Sequence, residues 1–84
     1  MKYSERRWKS MKVRVKLLGI LSSCYPVYKE FCTIDVKEGN TIRELRGRLG
    51  LPETNVFING KLGKENYELK ADDDILFLPS VGGG

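Results

Sequence analysis

The alternation of apolar and polar positions becomes regular at Met11, where Val13, Val15 and Leu17 interleave with Lys12, Arg14 and Lys16. A period of two sends the apolar side chains to one side of the backbone and the cations to the other, which predicts a half-buried strand. Residues 19–29, GILSSCYPVYK, hold Gly19, Ser22, Ser23 and Pro26 in quick succession and read as an irregular connection. Phe31 to Val36 restore the alternation, with Cys32, Ile34 and Val36 inward. The two strands pair most simply as an antiparallel hairpin with a long loop. In that register Cys32 is expected in the core, as a small buried hydrophobe and not as a reactive thiol.

Beyond Asn40 the period lengthens. Thr41-Ile42-Arg43-Glu44 has the form of a capping box, in which Thr41 accepts from a free amide of the first turn and Glu44 reaches back to the cap. Ile42, Leu45 and Leu49 recur at helical spacing and face the sheet, while Arg43, Arg46 and Arg48 point to solvent. Gly50, followed by Leu51-Pro52, ends a helix of about three turns. A brief strand is expected from Asn55 to Ile58. Asn59-Gly60 then signals a hairpin, because both residue types tolerate the positive φ of a type I′ turn, and Lys61 and Leu62 begin the return. Residues 63–70 are irregular, with Tyr67 and Leu69 tucked under the core. Asp72, Asp73 and Asp74 make a turn, and adjacent carboxylates in a turn do not converge on one ion, so no metal site is expected there.

The final strand, Ile75-Leu76-Phe77-Leu78, is apolar at every position. Either it is central with both faces covered, or Leu76 and Leu78 belong to a patch meant for another protein. One helix covers one sheet face, which favours the patch, joined by Phe57 and Leu18. Pro79 and then Ser80, Val81, Gly82, Gly83 and Gly84 follow. Glycines have no Cβ and tolerate nearly any backbone conformation, so this tail presents the Gly84 carboxylate on a thin, flexible arm. A frayed terminus that happens to be glycine-rich is the plainer alternative.

At 84 residues and 40% hydrophobic content the chain supports one small core. Of the formal charge of +4, Lys2, Arg6, Arg7 and Lys9 against Glu5 hold most, leaving +1 beyond residue 10. So small a dispersed charge gives no electrostatic reason to expect nucleic acid as the main partner. The chain has no His, and Cys24 and Cys32 show no metal-ligand spacing. No apolar run approaches the roughly 18 residues of a membrane span, and the basic start lacks the apolar core of a secretory signal. A cytoplasmic protein with free thiols is expected. It divides into a disordered basic leader (1–10), one α+β domain (11–79) and a tail (80–84).

The order of hairpin, capped helix, NG hairpin, acidic turn, apolar strand and Gly tail resembles the ubiquitin-like β-grasp fold, and within it the MoaD/ThiS sulfur carriers. VFINGK (Val56 to Lys61), YELKADDDILFLP (Tyr67 to Pro79) and Gly83-Gly84 carry the likeness. Pro79 and the long first connection are MoaD-like; the short link from Leu49 to Val56 is ThiS-like. The resemblance implies a mixed sheet of four to five strands packed on one main helix. It also implies a carrier that is itself no enzyme. An E1-like enzyme of MoeB/ThiF type would use ATP and magnesium to adenylate Gly84, and a sulfur donor would then leave a thiocarboxylate. A synthase subunit of MoaE or ThiG type would accept the sulfur, for molybdopterin-type cofactor synthesis in preference to thiazole. Gly83 and Gly84 would carry the chemistry, and Phe57, Leu76, Leu78, Pro79 and Gly82 the docking. Two other outcomes stay open: a ubiquitin-like modifier conjugated through its C-terminus, and a β-grasp interaction or RNA-binding module that uses the helix arginines with Lys12, Arg14 and Lys16.

Overall fold

The structure, a computed structural model, describes residues 10–79. Most of the leader, and the tail with Gly82, Gly83 and Gly84, lie outside the described residues. The elements are β1 (Ser10–Leu17), α1 (Ile20–Cys24), β2 (Cys32–Lys37), α2 (Ile42–Leu49), β3 (Thr54–Ile58), β4 (Lys61–Leu62) and β5 (Asp74–Pro79). They form one five-stranded mixed sheet in the order β2-β1-β5-β3-β4. β1 and β5 run parallel, and every other pair is antiparallel. A parallel pair needs a long crossover. Here β2, α2, β3 and β4 all lie between the two partners in sequence.

The core follows the period-two pattern. Val13, Val15 and Leu17 of β1, Val56 and Ile58 of β3, and Ile75 and Phe77 of β5 are buried together with Ile42 and Leu45 of α2. Each such side chain contributes about 1.5–3 kcal/mol of transfer free energy. Leu69 joins this cluster from the link between β4 and β5, and Tyr67 packs against it half-buried.

Local chemistry sets the element ends. The Glu44 backbone N–H donates to Thr41 Oγ1 at 3.3 Å, and the Thr41 N–H donates to Glu44 Oε1 at 2.8 Å, closing the capping box. That backbone donor, with smaller help from the Thr41 hydroxyl, Asn40 and Lys37, holds the Glu44 carboxyl below its ordinary value. Gly50 ends α2 in the left-handed region at φ 72°, and Asn59 and Gly60 both take positive φ between β3 and β4.

Three expectations are corrected. The connection after β1 is not irregular: it folds into α1 and a single 3-10 turn at Pro26–Tyr28. Leu21 buries into the core, Tyr28 packs on it, and the Tyr25 hydroxyl donates to the Gly50 carbonyl at 3.2 Å. Cys32 is not a core residue but partly exposed. It is opposite Val15 on the core-facing side, yet it starts β2, which among the described residues is an edge strand. Arg46 does not point freely to solvent. Its side chain is only 13% exposed because it pairs with Glu65, which Arg43 also reaches.

Candidate functional site: the outer sheet face and the root of the tail

β5 lies at the centre of the sheet, and its alternation divides its side chains cleanly. Ile75 and Phe77 are fully buried, while Leu76 and Leu78 point to the opposite face and are half-buried. The strand is thus both central and the carrier of an open apolar row. Phe57 of β3 stands directly opposite Leu76, and Asn55 opposite Leu78. On the other flank Lys16 is opposite Leu76, and the Leu18 N–H extends the ladder by donating to the Phe77 carbonyl at 3.0 Å. The structure therefore brings Phe57, Leu76, Leu78 and Leu18 onto one face, with Pro79 at its end.

Two further apolar side chains enlarge this face. Leu62, 70% exposed, pairs with Phe57 across the β3–β4 hairpin. Phe31 lines, with Phe57, Asn59, Gly60, Asp74 and Leu76, a shallow hollow of about 410 Å³. The Lys16 ammonium lies 5.6 Å from the centroid of the Phe31 ring. Both residues were findable in sequence: Phe31 shares the outward parity of Thr33 and Asp35, and the NG turn fixes Leu62 against Phe57.

The remaining part of the face is charged and internally paired. Arg14 Nε meets Asp74 Oδ1 at 2.5 Å, and Lys12 Nζ meets Asp35 Oδ1 at 2.7 Å. These are exposed pairs of small energetic weight. They nevertheless engage the cations that an RNA-binding reading requires. The α2 arginines are also engaged: Arg43 and Arg46 with Glu65, and Arg48 with the Asp35 carbonyl. The guanidinium of Arg46 holds the Glu65 carboxyl below its ordinary value.

A buried acidic junction holds the rim of the hollow. Asp73 accepts from Asn59 Nδ2, the Tyr67 hydroxyl and the Lys70 backbone N–H, each at 2.8 Å. The Asp74 N–H in turn donates to Asn59 Oδ1 at 2.9 Å. Burial, then the bond to Asp73 and its negative charge, pushes the Tyr67 phenol up to about 12. Asp73 and Asp74 thus face different partners, and among the described residues no group of metal-ligating side chains converges. Nothing in the triple-Asp turn distinguished the buried member from the exposed ones, because that depends on the remote Asn59 and Tyr67.

Pro79, the last described residue, is half-buried and pairs with Thr54 of β3. Its ring lies against Gly19, whose backbone is at φ 63°. Among the described residues no helix is long and apolar enough to cross a membrane.

The profile of the ThiS family matches residues 15–84. No curated protein matches. Among solved structures, small archaeal modifier protein 1 of Haloferax volcanii aligns with a TM-score of 0.70 at 19% identity, over 84% of this chain and 99% of that one. A molybdopterin converting factor subunit 1 from Pyrococcus furiosus aligns at 0.70 and 21% identity, over 84% and 99%. At this identity both show the fold, the ubiquitin-like β-grasp. A chain from the complex of subunits 1 and 2 of the molybdopterin-converting factor of Helicobacter pylori aligns at 0.55 and 30% identity, over 88% of this chain and 100% of that one.

Proposed function

Because the chain belongs to the ThiS family, we propose that it is a sulfur carrier whose Gly84 carboxylate is adenylated by an E1-like enzyme and converted to a thiocarboxylate. A carboxylate is a poor electrophile at neutral pH. In the first step one of its oxygens attacks the α-phosphorus of ATP and pyrophosphate leaves, giving the acyl adenylate. Hydrosulfide from a sulfur donor then attacks the acyl carbon and AMP leaves, so the carbon–oxygen bond to phosphate is exchanged for a carbon–sulfur bond. ATP and magnesium belong to the activating enzyme, and the chain is its substrate. The demand on the chain is access. Residues 80–84 can span about 17 Å when extended, and glycines at 82, 83 and 84 let that backbone thread a narrow channel.

One observation carries this reading. The central strand β5 bears the half-exposed Leu76 and Leu78, paired beside Phe57, and runs directly through Pro79 into the tail. A partner seated on that apolar face has the chain's end delivered beside it. The likeness to the Helicobacter pylori complex of subunits 1 and 2 supports a MoaE-type acceptor and molybdopterin-type synthesis. Transfer of the activated carboxyl to a lysine would use the same face and tail. The fold shared with small archaeal modifier protein 1 keeps that second outcome in view, and isopeptide-linked conjugates would mark it.

The test is ATP–pyrophosphate exchange catalysed by a MoeB-type adenylating enzyme. The full chain should support exchange, and a chain lacking Gly84 should not. Exchange supported equally by a chain lacking residues 80–84 would remove the tail from the chemistry.

A further inference from the structure

We propose that Gly19, just beyond the end of β1 and remote in sequence from the tail, is a positioning residue that seats the Pro79 ring and so fixes the point from which the chain continues toward Gly84. The inference rests on the reading of function above. Phe77 turns its carbonyl toward β1, where the Leu18 N–H binds it at 3.0 Å. Backbone polar groups alternate sides along a strand, so the nitrogen of Pro79 faces the same way, toward Gly19, beyond the last residue of β1. A proline is tolerated in this central strand because the paired register with β1 ends at Leu17 and Phe77, before residue 79.

What waits there is a backbone without a side chain. An ideal Cβ on Gly19 would stand 3.1 Å from Pro79 Cγ and 3.3 Å from Cδ, closer than carbon atoms ordinarily approach. Gly19 also takes φ 63° and ψ −143°, a region essentially closed to other residues. Its backbone is not free to yield, because its carbonyl accepts from the Ser22 N–H at 3.1 Å and from the Ser22 hydroxyl at 2.8 Å, which ties it to α1. The proline ring therefore abuts Gly19 on one side, while the Pro79 backbone pairs with Thr54 of β3 on the other. Pro79 has a fixed φ. With ring and φ both set, the Pro79 carbonyl carbon has one position relative to β1 and β3. A methyl group at residue 19 would push the ring outward and displace the Pro79 carbonyl from which the chain continues.

Gly39 supplies the control. It too has a positive φ, of 92°, but a Cβ there meets nothing within 4 Å, and it follows the end of β2 that pairs with Ser10, far from Pro79. Gly39→Ala therefore also puts a side chain at positive φ, without the ring contact. Adenylation by a MoeB-type enzyme is measured for the wild-type chain, Gly19→Ala, Gly39→Ala, Pro79→Ala and the Gly19→Ala/Pro79→Ala double variant, with melting temperatures for each. Gly19→Ala should lower kcat by roughly tenfold to a hundredfold, the scale of a misplaced reacting group, with a smaller change in KM, since the docking face is intact. Gly39→Ala should melt earlier yet keep its kcat. Adding Gly19→Ala to Pro79→Ala should cost far less than adding it to the wild type. Equal losses in the two glycine variants, or an undiminished cost without the proline ring, would overturn the positioning role alone. A wild-type chain that is not adenylated would overturn both this inference and the function beneath it.

Discussion

Asp73 ties the link between β4 and β5 to the NG turn, because its carboxylate accepts from Asn59 as well as from Tyr67 and the Lys70 backbone in its own segment. Replacing it with Ala leaves those donors without their acceptor in a largely buried site, and should cost about 3 kcal/mol of unfolding free energy in denaturant titration. The same junction gives a pH signature. The Tyr67 phenol sits at about 12 in the folded chain against an ordinary 10.0. A raised value means the folded state favours the neutral phenol, so this contribution is complete below pH 10 and is lost as pH rises through 12. The melting temperature should fall over that interval, and Tyr67→Phe should flatten the fall. Glu44 and Glu65 act with the opposite sign. Both are lowered from 4.5, so their contribution is present above that pH and lost as pH drops below it.

At the scale of elements, α2 depends on its first turn more than its length suggests, since eight residues form a marginal helix in isolation. Thr41→Ala removes the side-chain acceptor of the capping box and should cost about 1 kcal/mol, measured by chemical unfolding. Elements whose signals are local were legible in the sequence: the β1 alternation, the Thr41–Glu44 box, the Asn59-Gly60 turn and the apolar β5. Those decided by remote partners were not. Leu21 and Tyr25 order the β1–β2 connection only because the core and Gly50 stand nearby. Arg46 is drawn inward only because Glu65 lies within reach. Cys32 has the inward parity of a core residue and fails to be one because β2 is at the sheet edge, which alternation alone does not reveal. The outer face was legible in its Phe57, Leu76 and Leu78 members, while the Gly19–Pro79 contact joins residues sixty positions apart and left no local trace.

For the whole molecule, the fold places an apolar face and the root of a glycine-ending tail on one central strand. Charge placed on that face should separate docking from folding. Leu76→Asp combined with Phe57→Asp should leave a folded chain by circular dichroism, since both side chains face away from the core, and should weaken capture by a MoaE-type subunit at least tenfold in titration calorimetry. Sulfur carriage is tested by intact mass spectrometry of the chain after incubation with ATP, a MoeB-type enzyme and a sulfide source. It predicts a mass gain equal to one oxygen-to-sulfur exchange, located in the C-terminal fragment and absent from a chain lacking Gly84. An unchanged mass, with an enzyme shown to bind the chain, would contradict sulfur carriage.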